Sequence, residues 1–583
     1  MRQFRWIWQY FQKYKLRYAI GLCLVAVVVF LGLVNPYIGG IIVKDVFEQG
    51  NTEPLIRLLL IMIGVTFVKT LIRYTFAINF ELISQGLIYR MRMDIYDRIQ
   101  QQSFRFFDDN RVGDIMSRMT GDMDAIRHFA AYVIYSLFEH TLTFVCAIIL
   151  MFTISWQLTL VMLLVAPAIC FFTFRQAIVI KPAFSKIREQ FSKLNSVCQE
   201  NISGNRIIKA FTRETYEIEK FTEENQAYYQ YNVDASDIWG KYLPPQEFIV
   251  GMMNLVMLLV GGIMVILDRM KLYQLVTING YLWALNNPMR MIGWLVNDLQ
   301  RAVASLDKIY DMMRTKIRVK NPENPHEAGK LAGAVAFQDV SFAYDKYNDK
   351  AIVLKHISFE AAPGQTVGIV GPTGSGKSTL VNLISRFYDV TEGAVLVDGV
   401  NVKDYQLQSL RRDISSAMQD VFLFSDTVEG NIAYGVPDAS MEAVTGAAKV
   451  ADANDFIEKM SESYDTIVGE RGVGLSGGQK QRLSLARAIA TEPSILILDD
   501  TTSAVDMETE HEIQQALKAR YADRTKFIIA HRISSVKSAD LILVLVDGEI
   551  IERGTHDELL AQKGYYYTLY RNQYGDYTGK EAI

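Results

Sequence analysis

The sequence predicts an α-helical membrane domain of six spans, prolonged as helices into the cytoplasm, followed by a soluble α/β domain. Three observations predict it. Residues 18–43, 141–174 and 248–267 contain no charged side chain, and about 20 mostly apolar residues are enough to cross a bilayer. After residue 300 no such window recurs. Short β-rich runs then alternate with helical patterns: TVGIV at 366–370, AVLVDG at 394–399, SILILD at 494–499 and KFIIA at 526–530. That alternation implies a mainly parallel sheet covered on both faces. A purely soluble enzyme, a fibrous protein and a disordered chain are excluded.

The elements follow in order. Residues 1–17 carry Arg2, Arg5, Lys13, Lys15 and Arg17 with no acid. The apolar stretch behind them is longer than a signal-peptide core and has no small-residue cleavage site, so it reads as a retained first helix with its basic flank in the cytoplasm. The first span is about 18–43, and the second starts near Leu55. The uncharged run 141–174 is too long for one span, which makes 130–174 a pair of spans turning at Ser155–Trp156. The fifth is about 246–267 and the sixth about 273–297, and an even number of spans returns the α/β domain to the cytoplasm. The long connections, about 81–129 and 175–245, are charged and lack strong turn signals. Leu87, Met91, Ile95 and Ile99 keep one helical face within 84–103, so these helices should run well beyond the membrane. The predicted organisation is a membrane domain over 1–315, a linker over 316–330 and a catalytic domain over 331–583.

Charge and cysteines narrow the function. With 60 basic and 64 acidic residues the net charge is −4, which gives no global electrostatic case for nucleic acid. Cys23, Cys146, Cys170 and Cys198 have neither metal-ligand spacing nor a disulfide pattern and read as apolar filler. Within the spans lie Glu139, His140, Glu247, Asn254, Asn279, Asn286 and Asn287. They either face a cavity or sit on wet extensions. Tyr281, Trp283 and Trp294 either line that cavity or meet lipid headgroups.

The strongest motif is Gly371-Pro-Thr-Gly-Ser-Gly-Lys-Ser378, between the strand 366–370 and a helix beginning near Gly376. It has the phosphate-cradling pattern G-x-x-x-x-G-K-[ST]. Gly371, Gly374 and Gly376 let backbone N–H groups curl around phosphate oxygens, Lys377 supplies a point charge, and the Ser378 hydroxyl can sit on Mg²⁺. The helix N-terminus adds its dipole. In SILILDD, an apolar strand presents Asp499 to that metal's shell, and Asp500 follows where a carboxylate could polarise water. The third motif is Leu475-Ser-Gly-Gly-Gln479, whose plainest role is a glycine-rich turn with Ser476 as helix N-cap.

Together these motifs closely resemble the ATPase half of an ATP-binding cassette (ABC) transporter. The resemblance extends to Gln419 in SSAMQD, to Ser503-Ala-Val-Asp506, to His531 in IIAHRIS and to Glu470 in TIVGERG. It implies ATP and Mg²⁺ as cofactors. Tyr344 would stack on adenine, Gly371, Thr373, Gly374, Ser375, Gly376, Lys377, Ser378 and Thr379 would hold phosphates, and Ser378, Gln419 and Asp499 would hold the metal. Asp500, His531 and Gln419 would act in hydrolysis, while Ser476, Gly477, Gly478 and Gln479 would complete a nucleotide site. The first half is similar to the six-helix exporter membrane domain, with 106–126 and 200–214 resembling its cytoplasmic coupling loops. One cassette with six spans is then a half-transporter. About 100 residues separate the phosphate loop from the signature, so one chain's signature would close on another chain's phosphate loop.

One position departs from the pattern. Competent exporters carry Glu directly after the motif aspartate, and this chain has Asp500. The missing methylene withdraws the carboxylate by about 1.5 Å, a large fraction of hydrogen-bond reach. The intact signature beside a shortened acid resembles the shorter, degenerate-site subunit of heterodimeric Bacillus-type multidrug exporters. The expectation is therefore a multi-pass protein of a bacterial cytoplasmic membrane that pairs with a second half-transporter. It would export hydrophobic or amphipathic compounds in contact with membrane lipid, and would not act on nucleic acid. The alternatives are a homodimeric lipid or peptide exporter and a membrane-anchored ATP-binding sensor; the uncharged spans argue against a soluble cassette ATPase acting on DNA or ribosomes.

Overall fold

The computed structural model describes residues 2–344 and 352–575, without the side chains of a few positions in the helices Trp156–Ser203 and Glu214–Ile266. Cys170, read above as apolar filler, lies outside the described side chains. The chain divides into two compact units: residues through Gln100 together with Val112–Thr315, and Gln101–Arg111 together with Lys316 onward.

The first unit is helical. Its long helices are Lys15–Ile42, Glu53–Gln100, Ile134–Ile154, Trp156–Ser203, Glu214–Ile266 and Leu272–Arg314. At 1.5 Å per residue, the 48-residue helix Glu53–Gln100 is about 72 Å long, more than twice the ~30 Å hydrocarbon core. The expected extension past the membrane is therefore present. Leu87, Met91 and Ile95 are fully buried on its expected inner face. The break at Ser155 also falls where expected. Its backbone is extended, and its hydroxyl accepts from the Leu158 N–H at 3.4 Å, ending one helix and capping the next.

Among the described residues, four helical stretches (Lys15–Glu48, Glu53–Gln100, Val112–Ile154 and Glu214–Ile266) are long and apolar enough to cross a membrane, and Trp156–Val165 is a shorter apolar run. Leu272–Arg314 is more polar, with Asn279, Asn286, Asn287 and Arg290 along it. One buried cluster of this unit is methionine-rich, packing Met151, Met162, Met253, Met257 and Met289 with Tyr281 and Leu285.

The second unit is α/β, with two sheets. A six-stranded sheet runs in the order β10-β9-β3-β8-β7-β6. It comprises β3 (Thr366–Val370), β6 (Ile414–Ala417), β7 (Ile495–Asp499), β8 (Thr525–Ile529), β9 (Leu541–Val546) and β10 (Glu549–Gly554). All its pairings are parallel except that of β10 on β9. The expectation for AVLVDG needs correction. That strand, β4 (Glu392–Val397), joins a separate antiparallel sheet of order β2-β1-β4-β5. Val397 there pairs with Val335 of β1 (Val335–Ala343), which also pairs β2 (Ile352–Ala361) antiparallel. A short apolar run does not reveal its pairing direction, and the Asp398–Gly399 turn sends this one straight back into β5 (Val400–Asn401).

Among the described residues this unit has three hydrophobic cores. One joins the antiparallel sheet, β3 and the helix Lys377–Ile384. A second gathers residues 417–521, including Leu483, Leu485 and Ile489 of the helix Gly477–Ala490. The third packs Val370, Val536, Ile542 and Val544 with Leu559 and Tyr566.

Candidate nucleotide site

The site grows from the carboxyl ends of four neighbouring strands of the six-stranded sheet. Register pairs Ile369 and Asp499 both with Ile529, and Leu498 with Ala417, so β3, β8, β7 and β6 end side by side. Just beyond these carboxyl ends come, respectively, residues 371–378, His531, Asp500 and Gln419. Ligands of open α/β sheets bind outside the carboxyl ends of the parallel strands.

The phosphate loop has the backbone its sequence implies. Gly376 takes φ +99° as N-cap of the helix Lys377–Ile384, and a Cβ there would lie 2.7 Å from Leu354 Cδ2. Only glycine allows this turn to lie so tightly on β2. Lys377 is 6% exposed, and its ammonium donates to the carbonyls of Gly371 (3.0 Å) and Pro372 (2.8 Å). Burial lowers its pKa, partly opposed by Asp499 and Asp500. The Ser375 hydroxyl is buried without a hydrogen-bond partner. A buried ammonium, an unpartnered hydroxyl and the free N–H groups of a helix start fit phosphate oxygens.

Asp499 sits at the tip of β7. Burial raises its pKa, and a hydrogen bond from Ser378 opposes that shift. The charges of Asp500, Lys377 and His531 also act on it, so these groups converge on one carboxylate. Ser378 and Asp499, a hydroxyl and a carboxylate in contact, are hard oxygen donors suited to Mg²⁺. Gln419 is exposed in the bend two residues past β6. Asp500 has φ +50°, a left-handed backbone in which Asp is enriched. Its N–H donates to the Ile529 carbonyl at 3.0 Å, which fixes it against the strand leading to His531. The Tyr344 hydroxyl lies 3.0 Å from Thr379 Oγ1, at the first turn of the phosphate-loop helix.

The signature stands apart from the phosphate loop. Ser476 and Gln479 form a reciprocal capping box: Ser476 N–H donates to Gln479 Oε1 at 2.9 Å, and Gln479 N–H to Ser476 Oγ at 3.3 Å. Gly477 and Gly478 open the helix, and a Cβ on Gly478 would lie 2.9 Å from the Ala504 carbonyl. Among the described residues no hydrogen bond or ion pair joins 475–479 to 371–379.

Three supporting groups escape a reading of motifs. Gln481 is 8% exposed and clamps Ser503 and Ala504. Arg532 reaches the carbonyls of Ser503 and Val505 and pairs with Glu510, which is 3% exposed. Gln573 of the helix Tyr565–Tyr574 donates to the His531 carbonyl at 2.6 Å and accepts from the Ile533 N–H at 2.9 Å. Only the polar Gln481 within an apolar-periodic helix gave a sequence signal.

A chain with a helical membrane unit and, separately, a sheet whose carboxyl ends carry a phosphate loop, an acidic pair and a histidine defines a membrane transport ATPase. The chain belongs to the ABC transporter family. Residues 18–289 match the ABC transporter transmembrane region and 354–503 match the ABC transporter cassette. The chain is 43% identical over 493 residues to the uncharacterized ABC transporter ATP-binding protein YknU of Bacillus subtilis (strain 168), covering 84% of this chain and 83% of that one. It is 35% identical over 539 residues to an ATP-dependent lipid A-core flippase of Syntrophus aciditrophicus (strain SB), covering 92% and 89%. It is 36% identical over 576 residues to the multidrug resistance-like ATP-binding protein MdlA of Escherichia coli (strain K12), covering 98% and 97%. A bacterial Atm1-family ABC exporter with ATP bound superposes with a TM-score of 0.80 at 28% identity, covering 98% of this chain and 99% of that one. The chain is thus an ABC exporter, a multi-pass membrane protein with its cassette in the cytoplasm. Its cassette couples ATP hydrolysis to transport, and exporters of this family act as dimers.

Proposed function

We propose that the chain is the degenerate-site half of a heterodimeric exporter in a bacterial cytoplasmic membrane, moving hydrophobic and amphipathic compounds, multiple drugs among them. The observation that carries this reading is Asp500, a short carboxylate directly after Asp499 in a site whose other groups are complete. Residues 371–379 hold the phosphates of ATP, with Lys377 as their charge partner and Tyr344 against the base. Ser378, Gln419 and Asp499 hold Mg²⁺, which neutralises phosphate charge when bound. Asp500, with Gln419 and His531 beside the terminal phosphate, orients water poorly because its carboxylate is about 1.5 Å short. This chain's site would bind ATP and turn it over slowly.

The signature supports the second half of the proposal. Ser476, Gly477, Gly478 and Gln479 are built on a core separate from that of their own phosphate loop. They are available to complete a competent site on a different half-transporter. The domain limits we assign are 1–315, a linker at 316–330 and 331–583, with 106–126 and 200–214 as the coupling loops. Native mass spectrometry of the complex extracted from its source membrane tests the pairing. Two chain types are expected, and a complex of one chain type alone would refute it.

The lipid A-core flippase relative favours a second reading, export of an amphipathic lipid. Reconstituted complex separates the two: ATPase stimulated by an amphipathic dye such as Hoechst 33342 supports the drug reading, and stimulation by lipid A alone supports the lipid one.

A further inference from the structure

Five aromatic rings form a cluster between the phosphate-loop helix and the short helix Phe104–Asp109 within the second unit. Phe387 and Tyr388 come just after the helix Lys377–Ile384. Phe387 stacks on Phe104, ring centroids 4.3 Å apart and planes 27° apart. The Tyr388 hydroxyl donates to Asp108 Oδ2 at 2.8 Å. On its other side, the Tyr388 ring meets Tyr344 edge to face, centroids 5.2 Å apart and planes at 90°. Phe342 closes the cluster against both tyrosines, at 4.9 Å and 5.6 Å. Burial, followed by the bond to Asp108, holds the Tyr388 phenol above its ordinary range, with Arg105 partly opposing.

The geometry points to Tyr388 as a positioning residue that ties recognition of the nucleotide base to the first coupling stretch. This rests on the reading of Tyr344 as the base-stacking aromatic. Edge-to-face contacts hold a ring by its edge and fix the direction of its plane. Tyr344 is held by the rings of Tyr388 and Phe342 and, through its hydroxyl, by Thr379. Tyr388 is itself aimed by Asp108, so a displacement of Phe104–Asp109 turns the plane on which a base would stack. Apart from Thr379, the residues proposed to hold phosphates, 371–378, share no hydrogen bond with Tyr344, Tyr388 or Asp108 among the described residues, and should not sense that displacement. Linkage is reciprocal: if Asp108 alters base affinity, base binding stabilises Phe104–Asp109 by the same free energy.

The test uses the purified full-length complex in nanodiscs. Photolabelling by 8-azido-ATP, resolved on this chain, is competed with ATP or with inorganic tripolyphosphate, which lacks a base. Tyr388→Phe keeps the ring and removes the donor, and Asp108→Asn keeps the shape and removes the charge. Each should weaken competition by ATP about 3- to 10-fold, the effect of one hydrogen bond. Competition by tripolyphosphate should not change, and the double variant should be no weaker than either single one. Hydrogen exchange of 104–109 should slow on adding ATP in the native complex and not in Tyr388→Phe. Tyr344→Ala is the control for the underlying reading, because unchanged ATP competition there would show that Tyr344 does not bind the base. A loss in Tyr344→Ala with ATP competition unchanged in Tyr388→Phe and Asp108→Asn would overturn the present inference alone. Equal weakening toward ATP and tripolyphosphate would also overturn it, showing a merely structural role.

Discussion

Gln481 and Ala504 are joined by a hydrogen bond of 3.0 Å from the Ala504 N–H to the Gln481 side-chain oxygen, although one lies on the signature helix and the other in the loop after the acidic pair. The amide nitrogen of Gln481 reaches Ser503 Oγ at 3.1 Å. The signature and the segment leaving Asp500 are thus one mechanical piece. Gln481→Ala leaves a part-buried N–H without its acceptor, a local loss of about 1–3 kcal/mol. We expect ATPase turnover of the complex to fall about tenfold or more, with ATP affinity at this chain's own site changed less than about twofold. Unchanged turnover would show that the clamp does not matter to the signature.

Lys377 carries the charge of the phosphate loop. Lys377→Ala removes charge-assisted bonds to phosphate and should weaken ATP binding to this chain about 10- to 100-fold. Photolabelling resolved by chain measures it. Unchanged affinity would refute the assignment of residues 371–379.

The proposed role of Asp499 as a Mg²⁺ ligand predicts that metal binding depends on pH. Burial raises its pKa, so the folded protein holds this proton more tightly than the unfolded chain does. Its contribution to stability is therefore present at low pH and is lost as pH rises through the raised pKa. Mg²⁺ requires the ionised form. On acidification, Mg²⁺-dependent ATP affinity should begin to fall above the ordinary carboxylate range, and Mg²⁺ binding there should release a proton. Calorimetry in two buffers of different ionisation enthalpy counts that proton, and Asp499→Asn should abolish it.

The signature should matter more to turnover than this chain's own acidic pair. Ser476→Arg puts a bulky cation where a partner's nucleotide would sit and should abolish most ATPase activity of the complex. Asp500→Asn should leave most of it. Similar, near-complete losses from both would indicate two equivalent sites and a homodimer.

Much of this architecture could be read from the chain because its signals are local. Uncharged runs placed the helices, and the Ser155 break followed from a run too long for one span. Glycines at 371, 374 and 376 announced the loop, and an apolar run announced the strand that ends in Asp499. What escaped depends on long-range pairing. The strand Glu392–Val397 reads like any buried strand until Val335 is found opposite Val397. The Glu510–Arg532 pair and the Gln573 clamp on His531 join residues 22 and 42 positions apart. Gln101–Arg111 groups with the cassette, and the stacking of Phe104 on Phe387 there is a contact that no spacing discloses.

The central claim is that Asp500 makes this chain's site slow. It is tested most directly by single-turnover ATP hydrolysis in the complex whose partner lacks its catalytic carboxylate, so that only this site can act. With Asp500 in place, hydrolysis should be slow. Asp500→Glu restores the missing methylene, but it places Glu on a left-handed backbone at φ +50°, a strain on the order of 1 kcal/mol. The charge stabilisation contributed by the partner's signature is unaltered by it. A modest gain is therefore expected, well below the rate of a competent site. Rapid hydrolysis by the unaltered Asp500 site in that background would contradict the claim.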